Sequence, residues 1–229
     1  MPELEKYDMS KFLENCEKMN LTLSTEQQKQ FIRYYELLVE WNTFMNLTGI
    51  TEFQEVLQKH FEDSLAVVKG TDLSSVKSVM DIGTGAGFPG LPLKIAFPHL
   101  KVVLLDSLGK RVKFLNHVIE ELQLDNITAI HGRAEDFAKE AEYREQFDLV
   151  VSRAVANLSS LSEYCIPYTK VNGIFVSYKS GKIEEELEQA KKELASSQAK
   201  IASSKEELEQ ALQSLKNVKG VVADPLYRP

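Results

Sequence analysis

The chain has 229 residues, 34 acidic against 27 basic side chains, a net charge of −7, and 43% hydrophobic and 27% charged residues. That balance excludes a disordered or fibrous chain and a globally basic nucleic-acid binder, but not a local basic face. Cys16 and Cys165 lie too far apart to suggest a metal cluster, and no apolar run is long enough for a signal peptide or a membrane span, so free thiols in a reducing cytoplasm are expected.

Residues 8 to about 69 read as helical. Phe31, Tyr34, Tyr35, Leu38 and Trp41 recur at spacings of three and four, the period of one helix face. Ser24 followed by Gln27 resembles a capping box and sets a helix start near Ser24. A further helix is expected over Glu52 to Val68. From Val76 to Lys179 short apolar runs alternate with amphipathic stretches: SVMDIG, KVVLLD, ITAIHG, FDLVVS and GIFVSYK. The rhythm predicts β-α units, a mostly parallel sheet and helices on both faces, with strands apolar throughout because both sides are covered. From Ile183, Leu187, Leu194, Ile201, Leu208 and Leu215 repeat every seven residues, predicting a long amphipathic helix, either solvated or coiled-coil-like. The expected division is a helical region over 1–70, an α/β core over 71–182 and a mostly helical segment over 183–229.

The residues with chemistry begin at Asp81-Ile82-Gly83-Thr84-Gly85-Ala86-Gly87-Phe88-Pro89-Gly90. A strand ends at Asp81–Ile82 and glycines turn the chain into a helix, with Pro89 suited to its first turn. About twenty residues on, Asp106 closes the next apolar run, where a carboxylate can accept both hydroxyls of a ribose or cap a helix. The spacing is G-x-G-x-G, and Asp81 stands two residues before the first glycine. A dinucleotide site rests a pyrophosphate here, beside which an acid is poorly placed. A cationic nucleoside without phosphate suits it better, and S-adenosylmethionine has that chemistry.

Several stretches resemble the bacterial small-subunit rRNA methyltransferase G family, also called glucose-inhibited division protein B. They are LVEWNTFMNLTGIT (Leu38–Thr51), KHFEDSL (Lys59–Leu65), DIGTGAGFPGLPLKIAFP (Asp81–Pro98), LLDSLGKRVKFL (Leu104–Leu115), GRAEDF (Gly132–Phe137) and FDLVVSRAVANL (Phe147–Leu158). The resemblance spans about Ser24 to Lys192. It implies a Rossmann-like class I methyltransferase that moves a methyl group from S-adenosylmethionine to N7 of a guanine in the 530 loop of 16S rRNA, guanine 527 in conventional rRNA numbering. It implies cofactor contacts at Gly83, Phe88, Asp106, Ala134, Glu135 and Arg153, beside Asp81 and Gly85 of the elbow. Its partner would be 16S rRNA or the small ribosomal subunit; apart from the resemblance, the setting expected is the cytoplasm, and the oligomeric state is open, a monomer favoured over self-association through the heptads.

Guanine N7 carries a lone pair and no proton, so the reaction needs no general base, and no catalytic residue is expected beyond those that align the reactants. His60, inside KHFEDSL, is expected to pair with Asp63 or Glu62. His99, His117 and His131 are scattered without metal spacing. Lys110, Arg111 and Arg153 are candidate phosphate contacts, with Lys113 in the same cluster. The resemblance fades at the carboxyl end: two closing antiparallel strands and a basic tail are expected of the family, and only Val218–Ala223 reads as a short strand. A methyltransferase with another substrate, and a cofactor-binding RNA or assembly factor with little turnover, remain alternatives.

Overall fold

The computed structural model describes residues 6–153, 157–179 and 184–218. The chain divides into two compact units, 1–181 and 182–229.

In the first unit, α1 (Ser10–Lys18) and α2 (Thr25–Met45) precede a composite helix. That helix runs through α3 (Phe53–Val56), a π-helical stretch (Leu57–Glu62), α4 (Asp63–Leu65) and a 3-10 turn (Ala66–Lys69). The capping box is present: Gln27 N–H donates to Ser24 Oγ at 3.3 Å and Ser24 N–H to Gln27 Oε1 at 2.8 Å. The amide of Gln27 also donates to the carbonyls of Ile95 and Ala96 at 2.8 and 3.0 Å. One side chain therefore starts α2 and anchors it on the sheet domain.

Five strands follow: β1 (Ser78–Ile82), β2 (Lys101–Asp106), β3 (Ile127–His131), β4 (Phe147–Arg153) and β5 (Thr169–Tyr178). Between them lie α5 (Gly90–Ala96), α6 (Gly109–Glu121), the short α7 (Ala134–Phe137) and α8 (Leu158–Cys165), the last followed by a 3-10 turn (Ile166–Tyr168). The order is β3-β2-β1-β4-β5 and every pairing is parallel. All five expected apolar runs are strands, and the fold is the Rossmann-like α/β arrangement that they predict.

Alternation explains the continuous apolar runs. Val79, Val102, Leu104 and Leu149 face the core shared with the amino-terminal helices, while Met80, Val103, Leu105 and Val150 face a second core with Leu161, Cys165 and Tyr168. An aromatic chain carries the first core from helix to sheet: Phe31–Phe61 at 5.0 Å, Tyr34–Phe61 at 5.3 Å and Tyr34–Phe88 at 5.4 Å. Because the strands are parallel, Ile82, Asp106, His131, Arg153 and Tyr178 end along one edge. Chain direction across the sheet reverses between β1 and β4, which opens a crevice at that edge.

Asp148 fastens the opposite edge. Its Oδ2 accepts from the N–H groups of Lys77 and Ser78 at 3.0 and 2.9 Å and from Ser78 Oγ at 3.0 Å, and its Oδ1 accepts from Lys170 Nζ at 2.9 Å. Partial burial pushes its pKa up, but Lys170 and the bonds from Lys77 and Ser78 pull it down further, to about 2. A folded pKa below the ordinary value adds stability above about pH 4 that is lost as pH falls through 2. Asp148→Ala should therefore cost about 2 kcal/mol at pH 7 and much less at pH 2. A denaturant midpoint that moves equally at both pH values would contradict this.

The second unit shows one helix, α9 (Glu184–Val218). Leu187, Ile201 and Leu208 of its heptads are exposed. The strand expected at Val218–Ala223 is not formed at Val218, which ends α9; the remainder lies outside the described residues.

Candidate functional site

β1 leads into an elbow in which Gly83, Gly85 and Gly87 take φ of 67°, 63° and 100°. Side chains with a Cβ avoid these values, so the glycines permit the turn. The N–H groups of Gly83 and Thr84 donate to the carbonyl of Leu105 at 2.8 and 3.1 Å, which ties the elbow to the end of β2. Pro89 stands at the N-cap of α5, one residue earlier than the first-turn position expected of it, because the elbow takes one residue more before helical geometry starts at Gly90.

Asp81 lies beneath this elbow, fully buried. Its Oδ2 accepts from Thr84 Oγ1 at 2.6 Å and from Gly90 N–H at 2.8 Å, whereas Oδ1 is sealed from solvent without a partner. Burial pushes its pKa up to about 7, against the hydrogen bonds from Thr84 and Gly90 and the charge of Arg153. A buried carboxylate with an unpartnered oxygen is costly alone and is stabilised as an anion by positive charge nearby. Asp106 is nearly as buried and better supplied: Oδ2 accepts from Gly85 N–H at 2.9 Å and Arg111 at 3.4 Å, and Oδ1 from Leu108 N–H at 2.9 Å. A carboxylate offers roughly four lone-pair positions, so three are already engaged.

Beside these acids an open pocket of about 170 Å³ is lined by Gly83, Ala134 and Glu135, together with Ile82, Leu105, Ser107, Gly132, Arg133 and Tyr164. Three expected contacts thus meet in one hollow at the ends of β1, β2 and β3. Arg133 bonds Glu135 at 3.0 Å. The carboxylate of Glu135 is held below its usual range by its own N–H and by Arg133. Sequence reasoning missed Ser107, Gly132 and Tyr164. Ser107 and Gly132 immediately follow strand ends, a signal that could have found them. Tyr164 comes from α8 and has no local signal.

Phe88 and Arg153 form a neighbouring cluster. Phe88 is 5% exposed and stacks on His60 at 4.5 Å, and the Arg153 guanidinium lies over its ring at 4.9 Å. Arg153 also donates to Asp63 Oδ2 at 3.0 Å and to the carbonyl of Lys59 at 3.1 Å. The expectation that His60 pairs with Asp63 or Glu62 is corrected: Asp63 binds Arg153, and Glu62 accepts from Asn15. His60 instead meets Thr48 Oγ1 through Nε2 at 2.8 Å and Arg153 through Nδ1 at 3.2 Å. Asp63 follows the π-helical stretch that carries His60 and reaches Arg153 at the end of β4. Nδ1 also lies 3.1 Å from the Lys59 carbonyl, so the same ring nitrogen faces both a donor and an acceptor. Burial first, and the charge of Arg153 next, lower the His60 pKa to about 4, which keeps the ring neutral. Lys110 is exposed, while Arg111 is drawn to Asp106.

Among the described residues no group of acids, histidines or cysteines could hold a metal, and no helix is long and apolar enough to cross a membrane. Neither Asp81 nor Asp106 lines the hollow, but the glycine elbow beside it, backed by the buried Asp81 carboxyl, suits a cationic nucleoside.

Known proteins resemble this chain in fold and in sequence. The chain resembles the O-methyltransferase of Bacillus cereus crystallised with SAH, with a TM-score of 0.50 and 16% identity over 72% of this chain and 79% of that one, a likeness of fold. It is 55% identical over 183 residues to the ribosomal RNA small subunit methyltransferase G of Lachnoclostridium phytofermentans, covering 80% of this chain and 76% of that protein. Its identity to the protein of the same name from Lactococcus lactis is 54% over 185 residues, 80% and 78% of the two chains. The family described as GidB, rRNA small subunit methyltransferase G, matches residues 27–215, reaching well past Lys192, where the motifs alone place the end of the resemblance. With most of its length matched, the chain belongs to the rRNA small subunit methyltransferase G family.

Proposed function

We propose that this chain transfers the methyl group of S-adenosylmethionine to N7 of the 530-loop guanine of 16S rRNA, guanine 527, acting in the cytoplasm as a monomer on the rRNA or the small subunit. The observation that carries the reading is the buried, partnerless Oδ1 of Asp81 behind the elbow, in a chain whose relatives bear the name of an rRNA methyltransferase.

When bound, S-adenosylmethionine supplies a methyl group made electrophilic by its sulfonium. Asp81 would hold the positive end of the molecule by charge, and the glycines at 83 and 85 would let it lie against bare backbone. Asp106 would bind the ribose, and for both hydroxyls to reach it Arg111, the longest of its three contacts, must leave. Ala134 and Glu135 would meet the adenine. Phe88 and Arg153 would close the methyl side, with Arg153 held in place by His60, Asp63 and the Lys59 carbonyl. No residue has to accept a proton from N7, and His60, with its pKa lowered by burial and Arg153, would be a weak base.

The test maps N7-methylguanine in 16S rRNA from cells with and without the gene, beside calorimetric titration of the protein with S-adenosylmethionine and NAD. Loss of the 530-loop modification with the gene, and binding of the methyl donor alone, are expected. An unchanged guanine rejects the assignment.

A further inference from the structure

Phe44, in the last turn of α2, is 68% exposed, while most rings of this helix are covered. It packs on Trp41 at 5.4 Å, and Trp41 rests on His117 at 5.2 Å and Phe114 at 5.6 Å. Three rings, Phe44, Trp41 and His117, therefore form a row from α2 onto α6. Lys110, Lys113 and His117 stand at i, i+3 and i+7 of α6, along one face. Lys110 and Lys113 are exposed and form no ion pair among the described residues, whereas Arg33 on α2 is bound to Glu121 and Arg111 to Asp106. The row thus joins an uncovered aromatic surface to two unneutralised positive charges. Glu40, one turn before Phe44, bounds it.

Both helices deliver this row to the rim of the crevice. α6 begins three residues after Asp106. Four residues beyond Phe44, Thr48 bonds His60, which in turn bonds Arg153.

We propose that Phe44 and Trp41, flanked by Lys110 and Lys113, form a stacking platform for an unpaired nucleotide of RNA next to the methylated base. The inference rests on the methyltransferase reading and adds the surface by which that site takes RNA. An aromatic face stacks on any base, and lysines beside it meet the flanking phosphates. Unpaired, splayed bases are what proteins read in folded RNA. Two exposed lysines on the α6 face that carries His117, without an ion pair among the described residues, favour a polyanion over a protein partner.

The chain has one tryptophan, so Trp41 is its own reporter. The full-length protein is titrated with a single-stranded RNA oligonucleotide of the 530-loop sequence, reading tryptophan fluorescence and RNA anisotropy. Quenching on binding is expected. Phe44→Ala should weaken RNA binding roughly 5- to 150-fold, the range for loss of one base–aromatic stack. Phe44→Tyr should recover it to within about twofold, and Phe44→Leu should not, since it restores apolar surface without a π face. Lys113→Gln should lower the slope of log affinity against log salt by about one. S-adenosylmethionine affinity should be unchanged in all four variants. Wild-type RNA affinity in Phe44→Ala, full recovery in Phe44→Leu, or a Phe44 effect seen only with assembled subunits and not with RNA would each overturn the proposal; the last would point to a ribosomal protein on this surface. If the wild-type protein proves to methylate nothing, these RNA titrations still read out, so the two failures can be told apart.

Discussion

Asp81→Asn should weaken S-adenosylmethionine binding by at least 100-fold while raising the stability of the cofactor-free protein above pH 7. The side chains are nearly isosteric, and asparagine can still accept from Thr84 and Gly90 through its carbonyl. What changes is the sealed side: a carboxylate oxygen without a partner becomes an amide that donates hydrogen bonds. A buried charge that loses its counter-charge costs about 3–5 kcal/mol, which corresponds to a binding loss of 100-fold or more. The stability effect follows from the raised pKa of about 7. The folded state holds this proton more tightly than the unfolded one. Its contribution is full below about pH 4 and is lost as pH rises through 7, by on the order of 4 kcal/mol. Asparagine has no such loss. Wild-type affinity for the cation should also fall about tenfold per pH unit below 7, a slope that Asp81→Asn should lack. Calorimetry from pH 5 to 8, with thermal unfolding in parallel, tests all three. A variant that binds the donor within threefold of wild type would remove Asp81 from the site.

Gly87→Ala should be the most damaging single methyl group in the elbow. At φ of 100° the backbone is one that alanine avoids, at roughly 1–3 kcal/mol. The added Cβ would also lie 2.3 Å from Leu91 Cδ1, 2.9 Å from Leu91 Cγ and 2.8 Å from Tyr34 Oη. Neither neighbour can yield freely: Leu91 is fully buried in α5, and Tyr34 is buried with its hydroxyl bonded to the carbonyl of Ala86 at 2.5 Å. Overpacking adds about 1–3 kcal/mol, so a total near 3–5 kcal/mol is expected. Gly85→Ala is the comparison. Its φ of 63° carries the milder left-handed cost, and its Cβ meets nothing within 4 Å. It should lose about 1–2 kcal/mol of stability, with a larger effect on cofactor affinity because the methyl projects into open space. Denaturant midpoints for the two variants decide the point: equal losses would show that packing against Leu91 and Tyr34 contributes nothing.

Much of the architecture could be read from local order. The five strands appear as apolar runs because each lies between two cores, with neighbours such as Val79 and Met80 facing opposite ones. Ser24 and Gln27 mark the start of α2 because a capping box is closed by four consecutive residues. The elbow and the acids at 81 and 106 are legible for the same reason: backbone geometry and strand ends leave their mark within a few positions.

Tertiary structure decided who meets whom. Nothing near His60 in sequence shows that Arg153, more than ninety residues later, takes its Nδ1 and leaves Asp63 bonded to the same guanidinium. Tyr164 lines the hollow only because α8 packs on the face of the sheet through Leu161 and Cys165. Phe44 looks like one more ring on a helix stripe until its exposure and its contact with Trp41 place it on the surface. Sequence alone determined the strands, the elbow and the family, because propensity, periodicity and glycine geometry act over a few residues. Only the fold decided the lowered pKa of His60, the vacant oxygen of Asp81 and the row beside the crevice, because burial and long-range pairing are properties of the packed chain.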